Sequence, residues 1–226
     1  MSEQRTMSLD SIQQRTDIYR DVMYRIRQHF DLIDQIKELK LICDFAVLEI
    51  CASNIRKIIE GIAFGCLIIA EHGGETVPKK AKREFNAEKT LKWLEKKNVE
   101  VFPTPSVIRS FTADDIEEAT KYTTGLDNIS ATIEGQPQLI VTRNELKKIY
   151  NEMHHLCHEA NPYLQNRGLN LTDVLSYMKK IKDFIWKHTI SWQGKMFFCV
   201  LCDNVDRLTK VLPLSKEGKS NIVAQE

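Results

Sequence analysis

"NIRKIIEGIAFGCLIIAEH", Asn54–His72, is the stretch on which the fold of this chain turns. Extended back to Leu48, its apolar residues Leu48, Cys51, Ile55, Ile58, Ile59, Ile62, Cys66 and Ile69 recur at helical spacing, as a helix destined for burial requires. Against that pattern Glu49, Ser53, Arg56 and Glu60 stand at i, i+4, i+7 and i+11, which puts a polar stripe on one side of the same helix. Polar groups on a helix meant for burial need partners or a task, so Glu49, Arg56 and Glu60 become candidate site residues.

Upstream, the chain is helical from about Ser11, with no proline and no glycine before Gly61. A break between Asp34 and Leu41 divides it into two helices and predicts an antiparallel helical hairpin. Downstream, Gly73 and Gly74 end the helix, and a loop follows with Lys79, Lys80, Lys82 and Arg83, placed to touch a phosphate backbone or simply to be solvated. A short helix, "NAEKTLKWLEKKN", comes next, with Trp93 spaced for the core. Pro103 and Pro105 mark a turn, and Thr112 with Asp115 opens "FTADDIEEATKY" in the manner of a capping box.

"NISATIEGQPQLIVT" alternates and is β-rich, which predicts a hairpin turning at Gly135. Thr142 and Glu145 cap the helix "RNELKKIYNEMHHLCH", and Pro162 closes it. Another helix spans Leu171 to His188. "MFFCVLC" and "RLTKVLPL" then form a second hairpin around Asp203-Asn204-Val205. The expected architecture is mainly α (α+β): a helical bundle over 1–189 with a β-hairpin inserted near 129–141, a C-terminal hairpin over 190–214 packed on the same domain, and a flexible tail over 215–226.

With 226 residues the chain can bury an ordinary core without disulfides or metal. Its net charge of +1, from 32 basic and 31 acidic residues, excludes a global field of the kind that marks a strong non-specific binder of nucleic acid or membrane. The N-terminus is polar, and no apolar run reaches the roughly 18 residues of a membrane span, so a cytoplasmic protein without membrane contact is expected. The six cysteines sit mostly in apolar segments and read as small buried hydrophobes.

The other unusual stretch is "HHLCHEANPY", His154–Tyr163, with three of the six histidines in five residues. On the wheel, Leu146, Ile149, Tyr150, Met153, Leu156 and Cys157 make a core face. Lys147, Asn151, His154, His155 and His158 line a polar strip beside it. His154 and His158 provide only two ligands on one side, short of the three or four that zinc needs. No H-E-x-x-H is present, and the pair Cys199-x-x-Cys202 has no second pair to complete a site. No metal and no cofactor are therefore expected. An imidazole can move protons near neutral pH unaided, which makes His158 and His154 candidates for acid/base chemistry as well as for plain helix solvation.

The arginine–lysine–glutamate run of the first stretch, together with "LIVTRNELKKIYNEMHHLCHEANPY", resembles an uncharacterised group of bacterial proteins similar to the HEPN domains, helical bundles named for nucleotide binding in higher eukaryotes and prokaryotes, over roughly residues 41–163. The resemblance implies a four- or five-helix bundle, frequently dimeric, that cleaves RNA without metal through an R-x(4–6)-H motif. It also implies a toxin–antitoxin or antiviral defence setting with an antitoxin or defence-complex partner. The histidine would be His158, before Asn161-Pro162. The matching arginine is missing, since Glu152 and Met153 occupy its positions, and Arg25-x3-His29 is only a near match in spacing. Arg56 could supply the charge from the other helix, with Glu49, Glu60, Lys147, Asn151 and Asn161 as binding residues. Alternatively the bundle is retained as a catalytically inactive interaction or nucleotide-binding module.

Overall fold

A computed structural model describes residues 9–38, 44–110, 131–157, 169–203 and 206–214. Helices α1 (Leu9–Ile36) and α2 (Asp44–His72) lie antiparallel and share the largest helix–helix interface among the described residues. Two glycines of α2 permit the closeness. A Cβ on Gly61 would fall 2.8 Å from Ile26 Cγ1, and one on Gly65 would fall 2.9 Å from Tyr19 Cε2. At one end of the pair Arg15 bonds the Glu71 carbonyl; towards the other, His29 Nδ1 is 2.7 Å from Asn54 Oδ1. Asn54 in turn donates to the Ile50 carbonyl, so a buried amide on α2 leaves no loose end there.

Around α2 pack α4 (Ala87–Lys96), α5 (Arg143–Leu156) and α6 (Leu171–Ile185), with a single turn, α3 (Lys79–Lys82), on the way to α4. Of the apolar residues expected inside, Cys51, Ile55, Ile58, Ile59, Ile62, Cys66 and Ile69 are buried and Leu48 packs against them. The helix starts follow their caps. Asn86 accepts from Lys89 N. Thr142 with Glu145, and Asn170 with Asp173, form reciprocal capping boxes. Arg143 at the head of α5 donates to the carbonyls of Val99 and Val101, both at 2.9 Å, and covers the Phe102 ring, tying α5 to the irregular segment that follows α4.

Five strands form one antiparallel sheet in the order β2 (Ala131–Gly135), β1 (Thr104–Ser110), β3 (Lys187–Trp192), β4 (Lys195–Val200), β5 (Lys210–Leu214). The molecule is thus mainly α with a small antiparallel sheet, as the sequence predicts, but the sheet is assembled differently. Pro103 and Pro105 do not make a turn. Pro105 sits in β1 opposite His188, and its carbonyl accepts from Gln136 N at 2.7 Å. A proline costs a strand only its own donor, and the β1–β3 ladder is just two residue pairs long here. Gly135 likewise ends β2 rather than turning a hairpin. It pairs with Ser106, and a short 3₁₀ turn over Pro137–Leu139 leads on to α5.

The last helix stops at Ile185 instead of His188, because Lys187–Trp192 alternates inward and outward as a strand. Its turn to β4 is made by Gln193 (φ 48°) and Gly194 (φ 73°), the pair of positive φ values that a tight two-residue hairpin needs. β4 and β5 do pair antiparallel, as "MFFCVLC" and "RLTKVLPL" suggest, through a longer connection than a tight turn. One apolar cluster joins helices and sheet, taking Ile190, Phe197 and Cys199 along with the bundle core. The expected helix "FTADDIEEATKY", the tail over 215–226 and the Pro162 region lie outside the described residues.

Candidate functional site

The polar stripe of α2 meets α5 at a single buried tyrosine. The Tyr150 hydroxyl donates to Glu60 Oε1 at 2.9 Å and accepts from Arg56 Nη2 at 3.4 Å. The guanidinium carbon lies 5.2 Å from the centre of the Tyr150 ring, and Arg56 Nη2 is 3.8 Å from Glu60 Oε1. Arg56 also reaches the Cys157 thiol at the C-terminal end of α5. Three side chains from two helices, Arg56, Glu60 and Tyr150, therefore share one hydrogen-bonded cluster, with the Cys157 thiol beside it. It forms because Arg56 and Glu60 sit one helical turn apart on α2, while Tyr150 and Cys157 sit two turns apart on α5.

The charges in this cluster reinforce one another. Partial burial works against the Arg56 cation, but Tyr150 and Cys157 outweigh it and raise its pKa, so the guanidinium stays charged. Burial pushes the Tyr150 phenol up and the acceptor Glu60 adds to that, with Arg56 pulling the other way. Burial also raises the Cys157 thiol, opposed by Arg56 and Lys57 and assisted by Glu49. Both Tyr150 and Cys157 are consequently neutral at pH 7, and Arg56 is the cation of the cluster. Arg56 Nε is buried and has no hydrogen-bond partner among the described residues.

The other candidate residues distribute unevenly about this centre. Glu49 is exposed, near enough to Cys157 to act on its thiol. Lys147 turns away to α4, where its ammonium lies 2.9 and 3.1 Å from the two Glu95 oxygens, and Asn151 donates to Glu88 on the same helix. His154 is exposed, its ring edge-on to His155 with centroids 6.1 Å apart. His158 and Asn161 lie outside the described residues. No group of three or more His, Cys, Asp or Glu with metal-binding geometry occurs among the described residues, and no described helix is long and apolar enough to cross a membrane. Trp93 is partly buried against the core.

Tyr150 and Cys157 are the members that the sequence reading assigned to the core alone. Tyr150 is indeed 98 % buried in surface terms, being 2 % exposed. The available signal was chemical: a buried tyrosine carries a hydroxyl that must find a partner, and α2 offers an arginine and a glutamate. Comparison with family models, with curated proteins and with solved structures returned no match.

Proposed function

We propose that this protein is a HEPN-like endoribonuclease that works without metal, with Arg56 and His158 as the two halves of its site. What supports the reading is that Arg56 on α2 lies close enough to influence the thiol of Cys157, the residue directly before His158 in sequence, which would let it stand in for the arginine missing from the R-x(4–6)-H motif. In the proposed reaction a histidine takes the proton of a ribose 2′-hydroxyl and the oxygen attacks the adjacent phosphorus. The bond to the 5′-oxygen breaks, and a second histidine protonates that leaving oxygen, giving a 2′,3′-cyclic phosphate and a 5′-hydroxyl. His158 and His154 divide the proton transfers. Arg56, whose guanidinium stays charged, faces the extra negative charge on phosphorus. The setting that goes with this reading is a cytoplasmic homodimer of a toxin–antitoxin or antiviral defence system, regulated by an antitoxin or defence-complex partner.

One observation favours a second reading. Glu60 and Tyr150 already occupy part of the Arg56 guanidinium, which suits a catalytically silent bundle that binds a nucleotide or a protein. Incubating purified protein with labelled total RNA and tRNA in EDTA separates the two. Cleavage by the wild type that is lost in both Arg56→Ala and His158→Ala supports the nuclease. A folded wild type that leaves the RNA intact moves the protein to the binding reading.

A further inference from the structure

The segment Lys79–Lys97 carries eight basic and three acidic residues, a net +5 in a chain whose total is +1. Its carboxylates are each matched: Glu84 with Lys89, Glu88 with Lys92, and Glu95 with Lys147, while Lys82 leaves the segment to pair with Glu71. Lys79, Lys80, Arg83, Lys96 and Lys97 are exposed and make no ion pair among the described residues. Amid them stands Phe85, 76 % exposed, the most exposed large apolar side chain among the described residues. It is held upright rather than loose, since its ring meets Phe64 of α2 edge-on, 6.4 Å between centroids at 84°.

Phe64 continues the stripe of Arg56 and Glu60, at i, i+4 and i+8, so Phe85 lies over the same side of α2 about 12 Å along its axis from Arg56. On the opposite flank the contact of Asn151 with Glu88 holds the start of α4 against α5, next to Tyr150. Cations that are free to meet phosphates, arranged about a fixed aromatic face, are the two components of single-strand recognition. The geometry points to Lys79, Lys80 and Arg83 around Phe85 as a docking surface for single-stranded RNA that feeds the Arg56 cluster. This deepens the RNA reading above and rests on it for the choice of nucleic acid. Trp93, on α4, is packed against the core as its spacing predicts and leaves stacking to Phe85.

The test is binding of a fluorescent 2′-O-methyl oligouridylate 12-mer, which has no free 2′-hydroxyl and cannot be cleaved, followed by anisotropy across a salt series. Wild-type protein is expected to bind it better than a duplex of the same length. Phe85→Ala should weaken binding about 5- to 150-fold, the worth of one stacked base. Lys79→Glu with Lys80→Glu and Arg83→Glu should weaken it further and make the slope of log K against log salt shallower by about 2. All these residues are exposed, and circular dichroism checks that each variant is folded. Failure of the wild type to bind, equal affinity for duplex, or wild-type affinity in either variant overturns the inference. Binding that meets these expectations without cleavage of ordinary RNA would leave the docking surface standing and remove the nuclease.

Discussion

Lowering the pH should destabilise this protein through one residue, His188, well before its carboxylates titrate. The imidazole is fully buried in β3, its Nδ1–H donating to the Ile185 carbonyl at 2.8 Å and its Nε2 accepting from the Tyr19 hydroxyl at 2.7 Å. Among the described residues no charged group close to it compensates a positive charge. Burial holds Tyr19 well above the ordinary phenol range, pushes Cys66 up to about 12 and raises Cys199 further, so all three are neutral. Burial lowers the His188 pKa from 6.5 to about 4, despite the opposing bond to Ile185. The folded-state pKa is thus below the unfolded one, and the unfolded chain takes up the proton first as pH falls.

The contribution is complete above pH 6.5 and is lost on descending from there towards pH 4. At about 1.4 kcal/mol per pKa unit, this residue removes about 2 kcal/mol of stability between pH 7.5 and 5, and about 3 kcal/mol in all. Glu145 is held at about 2, first by Lys180 and then by Thr142, and Asp34 and Glu88 are also lowered by lysine partners; these carboxylates act only at lower pH. Urea unfolding followed by fluorescence at pH 7.5, 6.5, 5.5 and 5 reads the effect. The same series on His188→Gln, which cannot take a charge, isolates it from other imidazoles. The variant should start less stable and lose less. Parallel pH profiles for wild type and variant would refute the assignment.

Gly73→Ala should destabilise by about 1–3 kcal/mol in a denaturant melt, since a Cβ there would come within 2.2 Å of Trp192 Cδ1 and force β3 away from the end of α2. Thr142→Ala removes one half of a capping box and should cost about 1 kcal/mol, seen as a lowered Tm. Tyr150→Phe keeps the ring beneath Arg56 but deletes the hydroxyl between Arg56 and Glu60. It should cost about 1 kcal/mol of stability, and, under the proposed nuclease reading, should reduce RNA cleavage less than Arg56→Ala does, as comparison of initial rates would show.

Periodicity alone determined the bundle. A helix is local, its hydrogen bonds close within four residues, and its buried side repeats every 3.6, so α1, α2, α4 and α5 with their caps could be read from spacing and from residues such as Thr142 and Glu145. Arg56 and Glu60 were legible for the same reason, because they lie on one helix. The strands were not. β1 carries a proline that reads as a turn, and the helical pattern of α6 runs on to His188, into the start of "KHTISW"; both are strands because neighbouring strands supply partners from other parts of the chain. The same non-locality hid Tyr150 and Cys157. Their apolar bodies place them in the core of α5, and only the packing of α5 on α2, across about ninety residues of sequence, turns a buried hydroxyl and a thiol into partners of an arginine.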